Sequence, residues 1–117
     1  MRVLLADDDT AVCSALRLLL EDEPDIEIVG EVNAASDLAS HLLGANIDLL
    51  IIDWELPGLS ACPLRHALAT VRDHLKLIAI SGRTLARAES LAAGADGFIS
   101  KTDPPDRVLA LLRALAH

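Results

Sequence analysis

Short apolar runs that end on a polar or charged residue recur along this chain. Val3 to Ala6 runs into Asp7-Asp8-Asp9-Thr10. Ile47 to Ile52 runs, past Asp48, into Asp53, with Trp54-Glu55-Leu56-Pro57-Gly58 behind it. Leu77 to Ile80 runs into Ser81-Gly82, and Gly97-Phe98-Ile99-Ser100 into Lys101. A continuous apolar run of this length, bounded by turn residues, is the pattern of a strand buried on both faces. Asp25 to Val32 differs, because it partly alternates, and alternation predicts an edge strand over Ile26 to Val32.

Between the runs the apolar period lengthens to that of a helix. Val12, Leu16, Leu19 and Leu20 fall on one face, with Asp9 or Thr10 as cap and Pro24 past the end. Asn33 is placed to cap a helix carrying Ala35, Leu38, Ala39 and Leu42, which Gly44 stops. Ser60 to Pro63 opens a third helix with Leu64, Leu68, Val71 and Leu75 as its buried stripe. A fourth starts near Thr84, with Leu85, Ala88, Leu91 and Ala92 predicted inward and Gly94 as its stop. The last opens with Asp103 as N-cap and Pro104 in the first helical position, and turns Val108, Leu111, Leu112 and Leu115 inward.

Five strands alternating with five helices over short loops predict an α/β fold with a parallel sheet covered on both faces. The expected arrangement is a flavodoxin-like three-layer sandwich with strand order 2-1-3-4-5. It leaves the alternating strand on one edge and the Phe98 strand on the other. No linker or repeat interrupts the 117 residues, so one domain over 1–117 is expected.

Composition narrows this further. Apolar residues make up 52% of the chain, enough for a packed core, but Trp54 and Phe98 are the only aromatics. The core must therefore be Leu, Ile, Val and Ala. A net charge of −8 argues against direct nucleic-acid binding, which needs cations to displace counterions. Cys13 and Cys62 lack metal or redox spacing and read as buried or half-buried thiols of a reducing compartment. His41, His66, His74 and His117 show no ligand spacing and read as surface residues. Neither a signal segment nor a membrane-length apolar run is seen, so a cytoplasmic location is expected.

In a parallel sheet the strand ends share one rim. Asp7 and Asp8, Asp53, Ser81 and Lys101 would then converge in one concave site. Packed carboxylates repel, and a hard divalent cation relieves them. Mg2+ suits such oxygens, with Asp8 and Asp53 as direct ligands, the Glu55 carbonyl in reach and Asp7 acting through a bound water. A carboxylate is also a nucleophile toward phosphoryl donors. Mg2+ and Lys101 would offset charge on the phosphoryl oxygens, and the Ser81 hydroxyl would donate to one of them. These residues point to phosphorylation of Asp53. Glu55 and Arg83 each lie two residues past a strand end. They are expected to pair across the mouth of the site and slow the approach of water.

On these stretches the chain resembles a response-regulator receiver domain of a bacterial two-component system. The motifs are Val3 to Asp9, Ile51 to Gly58, Ile80-Ser81-Gly82 and Phe98 to Lys101, in order. The resemblance implies a sensor histidine kinase as donor to Asp53 and no enzymatic turnover beyond the domain's own phosphorylation and dephosphorylation. It implies a switch in which Ser81 turns toward the phosphoryl group and Phe98 follows. The output face would be the helix after Ser81, the strand of Phe98 and the final helix, which also offers a homodimer surface. Thr102 between Lys101 and the prolines makes the chain most similar to receivers joined to C-terminal helix-turn-helix DNA-binding domains. Such a domain would lie beyond His117. The stretch Leu59 to Pro63 departs from the family pattern beside the site.

Other readings compete. The acidic turn Asp7 to Asp9 could be a helix cap only, Ser81 a turn residue, Lys101 a surface lysine and Phe98 a core residue. Trp54 could be a partner-binding residue or a cover over the loop beside the site. A haloacid-dehalogenase-type phosphohydrolase also uses an aspartate with Mg2+, but here Ala11 stands at the fifth place of its Asp-x-Asp-x-Thr/Val motif. A dinucleotide-binding domain lacks support, because no Gly-rich loop follows the first strand. A receiver-like interaction module that works without phosphorylation is the main alternative.

Overall fold

The computed structural model describes residues 1–44, 46–59 and 75–116. The described elements run β1 (Arg2–Ala6), α1 (Thr10–Leu20), β2 (Glu27–Val32), α2 (Ala35–Gly44), β3 (Leu49–Asp53), β4 (Lys76–Ser81), α3 (Ala86–Ala92), β5 (Gly97–Ser100) and α4 (Pro105–Ala116). The helix expected to open at Ser60 lies outside the described residues, as do Cys62, His66, His74 and His117.

The five strands form one parallel sheet in the order β2-β1-β3-β4-β5, as the apolar pattern predicts. β3, the central strand, is buried at every position. Side chains alternate along each strand, so two cores form, one per face. Leu4, Leu50, Ile52, Leu77 and Ala79 point to the face covered by α2, where Ala35, Leu38, Trp54 and Leu56 complete the packing and Ala86 joins from α3. Val3, Leu5, Leu49, Ile51, Ile78 and Ile99 point to the other face, against Cys13, Leu16 and Leu20 of α1 and Val108 and Leu112 of α4. The result is the expected three-layer sandwich.

Three helix details differ from the expectation. In α3 the inward residues are Ala86 and Ser90, while Leu85, Ala88, Leu91 and Ala92 are exposed. Small residues let this short helix lie close to the sheet, and the Ser90 hydroxyl is satisfied by the Arg87 carbonyl at 3.1 Å. Gly94 closes α3 as foreseen, with φ at 102° and the paired bonds Gly94 N to Leu91 O and Ala95 N to Ser90 O. At α4 the first helical residue is Pro105, not Pro104, and Asp103 is not its cap. The Asp103 carboxylate instead accepts from the Ser100 amide at 2.9 Å, closing the turn after β5. For α2, the Ala35 amide donates to the Pro57 carbonyl at 3.0 Å, so the loop after β3 holds the helix start rather than Asn33.

Candidate phosphoryl-acceptor site

Because all five strands run one way, their carboxyl ends lie along one rim. Backbone bonds fix the residues just past them. The Asp7 amide donates to the Val32 carbonyl, and the Lys101 amide to the Ser81 carbonyl, each at 3.0 Å. Three strand ends, those of β1, β3 and β4, are then closed by the same local turn, in which a side-chain oxygen accepts the amide two residues on. Asp7 Oδ1 takes the Asp9 amide at 2.8 Å, Asp53 Oδ1 the Glu55 amide at 3.0 Å, and Ser81 Oγ the Arg83 amide at 3.0 Å.

These turns commit one oxygen of each buried aspartate and turn the other inward. Asp53 Oδ2 lies 3.6 Å from Lys101 Nζ, and Asp7 Oδ2 lies 4.0 Å from it. Asp7 Oδ2 is buried without a hydrogen-bond partner. Carboxylate oxygens of Asp7, Asp8 and Asp53 all lie within 4.8 Å of one another. A buried acceptor without a donor beside two further carboxylates is a donor set for a hard cation, and these oxygens fit Mg2+.

The charges are shaped by this crowding. Burial pushes the Asp53 carboxyl up to about 7 from 3.8. The Glu55 amide opposes that rise, the Asp7 charge and the Glu55 side chain add to it, and Lys101 opposes it. Lys101 would be lowered by burial, but Asp53, Asp7 and more distant carboxylates outweigh that and hold it above its ordinary value. Burial would likewise raise Glu55. Hydrogen bonds from Ser81 and Arg83, a bond to the Asp53 side chain and the Arg83 charge hold it below its ordinary value instead.

Asp7, Asp8, Asp53 and Lys101 are therefore brought together as foreseen. The main-chain turn also sets Glu55 beside them. Ser81 reaches the rim, but its hydroxyl donates to Glu55 Oε1 at 2.6 Å. The expected Glu55–Arg83 pair is present through Arg83 Nε. What the sequence did not reveal is that Ser81 shares the same Glu55 oxygen and that Arg83 also reaches Glu89 of α3, Nη2 to Oε2 at 3.0 Å. Phe98 is half-buried and lines a groove of about 600 Å3 with Leu91, Leu111 and Arg107. Trp54 is buried in the core on the α2 face, which removes it as an exposed docking residue. Cys13 is buried as expected, and burial first, then the charges of Glu31 and Asp7, push its thiol up to about 11.

Residues 3–113 match the family model described as the response regulator receiver domain. The chain belongs to that family. Among curated proteins, this receiver is 28% identical to the response regulator UvrY of Escherichia coli K12 over 117 residues, which is 98% of this chain and 54% of that protein. It is 34% identical to the response regulator RppA of Synechocystis over 119 residues, covering 98% of this chain and 50% of RppA. UhpA of Escherichia coli K12, a transcriptional regulatory protein, is 31% identical over 97% of this chain and 58% of its own length. The receiver thus spans about half the length of these relatives. Among solved structures, RcsB of Salmonella typhimurium superposes with a TM-score of 0.88 at 24% identity, covering 98% of this chain and 60% of that one. The response regulatory domain of mrkE from Klebsiella pneumoniae superposes with a TM-score of 0.86 at 21% identity, covering 98% and 94%. Membership in this family makes the chain a module of two-component signalling, in which the receiver is a phosphorylation-dependent switch. Among the described residues, no helix is long and apolar enough to cross a membrane.

Proposed function

We propose that this receiver accepts a phosphoryl group on Asp53 from a sensor histidine kinase and passes the change to a transcription-regulating output. The observation that carries this reading is the division of labour within one carboxylate. Asp53 Oδ1 is held by the Glu55 amide, while Oδ2 faces Lys101 beside the unpartnered Asp7 oxygen. The chain thus fixes a nucleophile in one orientation next to a cation.

In the transfer, an Asp53 oxygen forms a bond to phosphorus as the bond from phosphorus to the kinase imidazole nitrogen breaks, and the imidazole leaves with the electron pair. Lys101 offsets charge on the phosphoryl oxygens, and Ser81 donates to one of them afterwards. Asp8, Asp53 and the Glu55 carbonyl would hold Mg2+ directly, and Asp7 through a water. Bound there, Mg2+ supplies positive charge for the phosphoryl oxygens and keeps the aspartates ionised. The Glu55–Arg83 pair stands at the mouth of the unphosphorylated site.

The output is the α3–β5–α4 face. Ser81 and Phe98 border it from inside, and Leu85 at the N-cap of α3 and Leu91 within it stand exposed, 69% and 42% respectively. Homodimerisation through this face and a helix-turn-helix domain on the same polypeptide complete this reading, by likeness to the receiver's relatives. One of them, RcsB, is known bound to promoter DNA in the presence of a beryllofluoride phosphomimetic. On this reading the protein is not an enzyme with turnover and works in the cytoplasm.

The test is incubation with acetyl phosphate, followed by intact-mass measurement. One phosphoryl group is expected with Mg2+, and none with EDTA or in Asp53→Asn. An unmodified native chain that is fully folded would favour the phosphorylation-independent interaction module.

A further inference from the structure

The Ser81 hydroxyl has one proton, and in this structure Glu55 takes it. The 2.6 Å separation is that of a charge-assisted bond. The same Glu55 oxygen also accepts from Arg83 Nε, and the Arg83 amide donates back to Ser81 Oγ. The only donor of Ser81 is therefore committed to Glu55. It cannot hydrogen-bond a phosphoryl oxygen while Glu55 keeps it.

Glu55 is also tied to Asp53 through its main chain. Its amide donates to Asp53 Oδ1 at 3.0 Å, which keeps the residue beside the acceptor. New negative charge on Asp53 repels it at short range. From Glu55 the tie continues outward, because Arg83 reaches Glu89 on α3. That helix turns Leu91 to solvent, where its N-cap residue Leu85 also lies, and buries only Ala86 and Ser90. Glu55 thus links the acceptor, the Ser81 hydroxyl and a helix that buries only two small residues.

We propose that Glu55 is a positioning residue that holds Ser81 and Arg83 in the unphosphorylated arrangement and competes with the phosphoryl group for both. The inference rests on the reading of Asp53 as acceptor. When the phosphoryl group displaces Glu55, the Ser81 proton becomes available to it. Arg83 then exchanges one acidic partner for another and carries Glu89 and α3 with it. The acid at this position sets how costly activation is.

Beryllofluoride with Mg2+ tests this without a hydrolysable bond. Its affinity is read by Trp54 fluorescence at saturating Mg2+, in the native chain and in Glu55→Ala, Glu55→Gln and Ser81→Ala. Glu55→Ala is expected to bind about tenfold more tightly, the scale of one charge-assisted hydrogen bond at a partly exposed site. Glu55→Gln, which keeps an acceptor but no charge, falls between. In the Ser81→Ala background most of the gain disappears. Equal or weaker binding by Glu55→Ala overturns the proposal, as does a full gain persisting without the Ser81 hydroxyl, which marks charge removal alone. So does a shifted urea midpoint with unchanged affinity. These outcomes leave the Asp53 reading standing. Absence of any beryllofluoride response in the native chain removes that reading and this one together.

Discussion

Helix α1 follows the aspartates at the end of β1, and α3 follows Ser81 at the end of β4, yet the two are held in different ways. α1 has eleven residues, begins on Asp9, whose side chain accepts the Ala11 and Val12 amides, and buries Cys13, Leu16 and Leu20. α3 has seven residues, no side-chain cap, and only Ala86 and Ser90 buried, with Leu85 and Leu91 outward. Its ties to the rim are polar, through Arg83 and Glu89. A helix held by a few exposed ion pairs and little apolar area can shift at small cost, whereas one locked by leucines cannot. The rim therefore has a fixed side, where Asp7 and Asp8 are placed, and a movable side, where Ser81 answers.

The largest effect that separates the two sides is in packing. Leu16→Ala on α1 should cost about 3 kcal/mol in urea unfolding, since it opens a cavity in a closed core. A cost under about 1 kcal/mol there would break the contrast.

Next in size is a pH effect centred on Asp53, on the strand between the two sides. Its folded carboxyl titrates near 7, well above the unfolded value of 3.8. The folded state thus binds a proton more readily between these values, so stability of the metal-free chain falls as pH rises through that window. Urea midpoints in EDTA should decline from pH 4 toward pH 7, and Asp53→Asn should flatten the decline. Added Mg2+ should raise the midpoint more at pH 8 than at pH 5.5, because it binds the ionised site.

Asp9→Ala removes the cap of α1 and should cost about 1 kcal/mol by the same measurement. Leu85→Ala at the N-cap of α3, an exposed position, should stay within about 0.5 kcal/mol of the native chain. The contrast sharpens further if amides of α3 exchange with deuterium faster than those of α1.

Much of this was legible in the residues. The five strands and their order follow from short apolar runs, because a both-face-buried strand admits almost no polar residue until it leaves the sheet. The same logic put Asp7, Asp53, Ser81 and Lys101 on one rim. The inward face of α3 was not legible. Ala and Leu hold four of the seven positions of Ala86 to Ala92 and are spread around the helix, so apolar periodicity favoured the larger residues. The sheet accepted Ala86 and Ser90, four apart and small enough for close approach. The α4 start was ambiguous because Asp103-Pro104-Pro105 fits a helix in two registers, and Asp103 is used on Ser100 instead. Spacing alone paired Glu55 with Arg83. It could not show that Ser81 shares the oxygen, since a hydroxyl's partner depends on side-chain direction.

The central claim is that Asp53 and no other carboxylate takes the phosphoryl group. The direct measurement is to label the chain with acetyl phosphate and Mg2+, reduce it with borohydride, which converts an acyl phosphate to an alcohol, and map the altered residue by peptide mass spectrometry. The account predicts modification at Asp53 alone, abolished by EDTA. Modification at Asp7, Asp8 or Glu55, or none at all in a folded chain, would contradict it.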